Sequence, residues 1–123
     1  MAERNKILVV DDDTGIGEML KVLLEFHGFE VMFSEKPEET EKNIRAHGID
    51  LVLLDMLISG VNGTDVCTRL RENPEAADIP ILMMSALHDA GPKCKKAGAN
   101  DFIAKPFEMD DLVKKIKKSL REN

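Results

Sequence analysis

Five times along this chain a short apolar run gives way to a longer segment with helical spacing, and few folds satisfy that order. The runs rich in β-branched and long aliphatic residues read as strands: Lys6 to Val10, Glu30 to Phe33, Asp50 to Leu54, Ile81 to Met84, and Phe102 to Ala104. After the first, Ile16, Met19, Leu20, Leu23 and Leu24 share one face of a helix from about Thr14 to His27, which Gly28 stops. A second helix begins at Pro37 and ends at Gly48; its apolar face, Ile44 with Ala46, is thin and predicts loose packing. A third covers about Thr64 to Glu72 and is closed by Asn73-Pro74. A short one runs from Pro92 to Ala97, closed by Gly98. The last, from about Met109 to Leu120, turns Leu112, Val113, Ile116 and Leu120 inward. Strands that are apolar throughout, rather than alternating, are buried on both sides. The expectation is therefore an α/β fold, a parallel sheet with helices on both faces. No repeat, low-complexity segment or linker interrupts the pattern, so residues 1–123 are expected to form one domain.

Charge and composition narrow the function classes. Apolar residues make up 43% and charged residues 33% of the 123, enough for a core without disulfides or structural metal. Cys67 and Cys94 are far apart and form no Cys-x-x-Cys, which predicts two free thiols in a cytoplasmic protein, Cys67 packing as a small apolar residue. The longest apolar runs are too short for a membrane span, and no secretory signal precedes them. A net charge of −6 argues against nucleic acid as a direct partner, because phosphate binding needs a basic surface. The basic run Lys114 to Arg121 suits the carboxyl end of the last helix. His27 and His47 suit helix ends in the same way, and His88 falls in a loop.

In open parallel sheets, ligands bind beyond the carboxyl ends of the strands, where the winding switches direction. Asp11, Asp12 and Asp13 follow the first strand, Asp55 the third, Ser85 the fourth, and Lys105-Pro106 the fifth. Adjacent carboxylates repel: a pair at ~4 Å costs about 4 kcal/mol at an effective dielectric near 20. A hard divalent cation relieves that repulsion, and Mg²⁺ takes one or two carboxylates and completes its shell with water and phosphate oxygens. A lysine and a serine hydroxyl supply what a transferring phosphoryl group needs, and a central carboxylate, Asp55, can act as nucleophile. Asp13 or Thr14 is also placed to cap the first helix.

Four segments carry a family resemblance: Ile7-Leu-Val-Val-Asp-Asp-Asp13, Asp50-Leu-Val-Leu-Leu-Asp55, Pro80-Ile-Leu-Met-Met-Ser-Ala86 and Asp101-Phe-Ile-Ala-Lys-Pro-Phe107. Together they resemble the receiver domain of two-component response regulators, in order and across nearly the whole chain. The resemblance implies a flavodoxin-like (βα)5 fold with strand order 2-1-3-4-5. It implies that Asp55 accepts a phosphoryl group from the phosphohistidine of a histidine kinase or histidine phosphotransfer protein. Mg²⁺ would be held by Asp12, Asp55 and the Leu57 carbonyl, with Asp11 acting through water and Asp13 not a ligand. Lys105 would contact the carboxylate and then a phosphoryl oxygen, and the Lys105-Pro106 peptide would be cis. Ser85 would swing in to the phosphoryl group and Phe102 would change rotamer with it. A downstream protein would read the face of the fourth helix, fifth strand and fifth helix. The implied protein is a signalling phosphoacceptor and not an enzyme in the ordinary sense.

Three departures from the family pattern stand out. Ser59 occupies a position where proline is usual, which predicts a less rigid loop. The segment from Ser85 to Gly98 is short and broken by Gly91-Pro92, which predicts a stubby fourth helix and puts any borrowed dimer geometry in doubt. Phe102 replaces the more frequent tyrosine. In addition, Leu57 and Leu87, two residues after Asp55 and Ser85, cannot hydrogen-bond an attacking water, so a long-lived acyl phosphate is expected. Two other readings compete. An aspartyl-phosphate hydrolase needs a late acidic pair at a strand end, and Asp110-Asp111 instead falls within the last helix. A non-phosphorylated interaction module would not need the site intact. A flavin binder is disfavoured because Asp11 to Asp13 would repel its phosphate. No output domain is expected within the chain, which reads either as a stand-alone receiver or as part of a longer regulator or hybrid kinase, Met1 favouring a place at a protein's own N-terminus.

Overall fold

The computed structural model describes residues 4–121. In chain order the elements are β1 (Lys6–Val10), α1 (Thr14–Phe26), β2 (Glu30–Ser34), a 3-10 turn (Pro37–Glu39) leading into α2 (Thr40–His47), and β3 (Leu51–Asp55). Two-residue strands β4 (Leu57–Ile58) and β5 (Val61–Asn62) come next, then α3 (Gly63–Glu72), β6 (Ile81–Ser85), α4 (Gly91–Lys96), β7 (Asp101–Ala104) and α5 (Met109–Arg121). The main sheet is parallel and ordered β2-β1-β3-β6-β7, which is the expected 2-1-3-4-5 once the β4–β5 hairpin is set aside.

Alternation along the strands divides the core in two. Leu8, Val10, Val52, Leu54, Ile81 and Met83 face Ile44 of α2, Val66, Cys67 and Leu70 of α3, and Cys94 of α4. Ile7, Val9, Leu51, Leu53, Leu82 and Met84 face Leu20 and Leu24 of α1 and Leu112, Val113 and Ile116 of α5. Because helices cover both sides, Ile7 to Val10 of β1 and Ile81 to Met84 of β6 are apolar without interruption, whereas β2, at the sheet edge, stays half exposed. Both cysteines are free and buried, and burial pushes the Cys67 thiol up to about 11. Among the described residues no helix is long and apolar enough to cross a membrane.

Three details differ from the sequence reading. The second helix opens as a 3-10 turn, and its thin apolar face is completed by Thr40 and Asn43, both buried. Thr40 donates its hydroxyl to the Pro37 carbonyl at 2.7 Å, so a polar side chain fills the gap without an unpaired group. The β4–β5 hairpin was not expected, since two-residue strands leave no periodic signal. The third is Arg71, at the end of α3. It donates from Nε to the Gly98 carbonyl at 2.8 Å, from Nη1 to the Ala77 and Ile79 carbonyls at 3.1 and 2.6 Å, and from Nη2 to Asn100 Oδ1 at 2.8 Å. Asn100 Oδ1 also accepts from the Ile81 amide at 2.8 Å. One guanidinium thus ties together the loops entering β6 and β7. The fourth helix is stubby as expected, six residues long.

Candidate functional site

The carboxyl ends of β1, β3 and β7 bring Asp11, Asp12, Asp55 and Lys105 together. One oxygen each from Asp11, Asp12 and Asp55 lies within 4.8 Å of the others. Lys105 Nζ stands 3.2 Å from Asp11 Oδ2 and 3.4 Å from Asp55 Oδ1. Asp11 is almost fully buried, and its second oxygen accepts the Asp13 amide at 3.0 Å. Burial and the Asp11 charge raise the Asp55 carboxyl above its ordinary value, and Lys105 only partly offsets them. For Lys105, burial works downward, but the charges of Asp11 and Asp55 outweigh it and hold the ammonium more firmly protonated. The Lys105-Pro106 peptide is cis, as expected.

Asp13 is not part of this cluster: its side chain caps α1, accepting the Ile16 amide at 3.1 Å. Ser85 is buried, and its hydroxyl accepts the Leu87 amide at 3.0 Å. Phe102 is half buried against the core beside Gly91. The structure therefore gathers the acids and the lysine and leaves Ser85 and Phe102 outside the charged network.

The hard, all-oxygen donor set fits Mg²⁺. Gly63 donates its amide to the Met56 carbonyl at 2.6 Å, and Ile58 pairs with Val61 beside the turn. In an antiparallel ladder the pair between two bonded pairs turns its peptide groups away from the partner strand, which leaves the Leu57 carbonyl free of the hairpin.

Two residues at the site were not legible as such. Ser59 and Gly60 form the hairpin turn, both with positive φ, 51° and 80°, as a two-residue type I′ turn requires. Proline, fixed near −65°, cannot take that backbone. The loop is tied to the first strand end: Asp12 Oδ2 accepts the Ser59 amide at 2.7 Å and its hydroxyl at 3.3 Å. Gly63 lies under the Asp55 peptide, where an added Cβ would overlap the Asp55 carbonyl oxygen. The Asn62-Gly63 pair at a helix start was the only signal for it. Gly63→Ala is expected to lower the thermal midpoint by roughly 8 °C, about 2 kcal/mol of overpacking, in a calorimetric melt. An unchanged midpoint would show that the Asp55 backbone can yield.

A family model, the response regulator receiver domain, matches residues 7–117. The chain belongs to that family. Among curated proteins, this receiver domain is 38% identical over 122 residues to the DNA-binding response regulator MtrA of Mycobacterium tuberculosis (strain ATCC 25618 / H37Rv), covering 98% of the chain and 52% of that protein. It is 35% identical over 118 residues to the phosphate regulon transcriptional regulatory protein PhoB of Rhizobium meliloti (strain 1021), covering 94% of the chain and 52% of that protein. The receiver thus spans about half the length of the curated relatives it matches. Among solved structures, a putative response regulator from Chloroflexus aurantiacus J-10-fl superposes with a TM-score of 0.91 at 36% identity, covering 97% of this chain and 99% of that one. As a receiver domain, the chain is a signalling component of two-component systems.

Proposed function

We propose that Asp55 is the phosphoacceptor and that Mg²⁺ is held by Asp12, Asp55 and the Leu57 carbonyl, with Asp11 acting through water. The observation that carries this is Lys105 Nζ bridging Asp11 and Asp55 beside Asp12. A carboxylate oxygen of Asp55 attacks phosphorus, the P–N bond of a phosphohistidine breaks, and the imidazole leaves. The cation supplies positive charge that lets phosphoryl oxygens approach three carboxylates. Lys105 neutralises Asp55 beforehand and a phosphoryl oxygen afterward. Asp11, with both oxygens already engaged, suits a water-mediated role. Ser85 exchanges its bond to the Leu87 amide for the phosphoryl group, and Phe102 moves with it by packing alone. The resulting change is read at α4, β7 and α5 by a downstream protein.

The kinase or phosphotransfer partner docks on α1. Met19, Val22 and Phe26 form an exposed apolar stripe there at helical spacing, and Ile16 and Met19 border a recess of about 320 Å³ shared with Lys105, Pro106 and Phe107. We assign no direct nucleic-acid contact to this segment, whose net charge of −6 repels phosphate; the DNA-binding relative MtrA is about twice its length. The setting is the cytoplasm, and residues 1–123 act as one domain.

Incubation with a small-molecule phosphodonor and Mg²⁺ is expected to add one phosphoryl group per chain, located at Asp55 by mass spectrometry. Sustained turnover of a phosphomonoester would instead make the protein a hydrolase. Leu57 and Leu87 are both exposed beside the site and offer no hydrogen bond to an attacking water. The label should therefore persist for minutes or longer; its loss within seconds would overturn that part.

A further inference from the structure

Each carboxylate of the cluster is held by a donor. Asp11 and Asp55 share Lys105, whereas Asp12, exposed at the mouth, is held among the described residues by Ser59 alone. That contact crosses 47 positions of sequence and joins the β1–α1 connection, which carries Asp12, to the hairpin that carries the Leu57 carbonyl. The amide bond, at 2.7 Å to a carboxylate, is short and charge-assisted, and it depends on the left-handed backbone at Ser59.

We propose that Ser59 is a positioning residue for the metal site: it holds Asp12 in one orientation and fixes the hairpin against it, so that Mg²⁺ meets ligands already in place. Resting on the Mg²⁺ assignment to Asp12, Asp55 and Leu57, this adds a residue that touches neither the ion nor the phosphoryl group. A carboxylate ligand that is itself hydrogen-bonded keeps its rotamer, and loss of such a partner weakens metal binding. The backbone amide carries most of the effect, being the closer donor.

Calorimetric titration of Mg²⁺ into the full chain and two variants tests this. Ser59→Pro removes the amide hydrogen, the hydroxyl and the positive φ, and should bind Mg²⁺ about tenfold more weakly. Ser59→Gly keeps the amide and the backbone conformation and should stay within about twofold of the wild type. A Ser59→Pro protein that binds as tightly as the wild type, or more tightly, overturns the proposal. So does a Ser59→Gly protein that loses as much as Ser59→Pro. Failure of the wild type itself to bind would instead bring down the Mg²⁺ assignment, and this inference with it. A second measurement is independent of both substitutions at residue 59. The Ser59 amide proton, deshielded by the Asp12 carboxylate, should move upfield in the metal-free spectrum of Asp12→Ala; an unmoved resonance overturns the contact in solution.

Discussion

Asp55→Asn is expected to abolish phosphoryl acceptance and at the same time to raise the thermal midpoint of the protein in chelator. The first effect is all-or-none, since an amide oxygen does not form the acyl phosphate and no other carboxylate has the same access: Asp11 is buried with both oxygens bonded, and Asp12 is turned to Ser59. The second effect has its origin in the same crowding. Burial first, and the Asp11 charge second, push the Asp55 carboxyl upward, and Lys105 does not fully cancel them. A carboxylate whose native value is raised is ionised at a cost to the fold. That cost is fully present above its native value and vanishes below the unfolded value of 3.8. The asparagine protein should therefore melt a few degrees higher near neutral pH, and its advantage should shrink as pH falls toward that value. Melting curves with chelator across pH would show this. An equal or lower midpoint for Asp55→Asn would mean that Lys105 more than compensates the charge.

Arg71→Ala should cause the largest loss of stability. The side chain satisfies the carbonyls of Ala77, Ile79 and Gly98 and the Asn100 amide oxygen, in loops that enter β6 and β7. Truncation leaves the three carbonyls in a partly buried place without that donor, at about 1–3 kcal/mol for each that water does not reach, while Asn100 Oδ1 keeps the Ile81 amide. A total of about 3 kcal/mol, or more than 10 °C in midpoint, is expected from denaturant and thermal melts. Arg71→Lys should recover little, because one ammonium cannot replace a planar fork serving two loops. These loops lie at the amino ends of the strands, opposite the carboxylates. Below its midpoint, the Arg71→Ala protein should still accept one phosphoryl group per chain. Loss of labelling in folded Arg71→Ala protein would show that the two ends of the sheet are coupled.

The sheet and its acidic edge were readable because they rest on patterns that a single chain displays. Continuous apolar runs mark strands covered on two sides, and the residues just after each run sit at the carboxyl end of its strand. Asp13 as a helix cap was readable for the same reason, being local. Ser59, Gly63 and Arg71 were not. The Ser59 bond is made to a residue 47 positions away, the space above Gly63 is closed by the Asp55 peptide, and Arg71 reaches carbonyls of two separate loops. Nothing in composition or periodicity reports a hydrogen-bond partner chosen in three dimensions. The α2 face misled for a related reason: Thr40 and Asn43 count as polar in a periodicity yet bury well once Pro37 offers an acceptor.

Asp11 and Lys105 are 94 positions apart, and their ion pair closes only when β7 has added to β6, outermost in the sheet. Until then Asp11, Asp12 and Asp55 have no lysine among them. Contacts of such long range form late and are lost together with the strand that supplies them. On the role proposed for Lys105, a chain that is still folding, or whose last strand has peeled away, lacks the cation that would neutralise Asp55. Competence at Asp55 would then report that the outermost strand has joined the sheet.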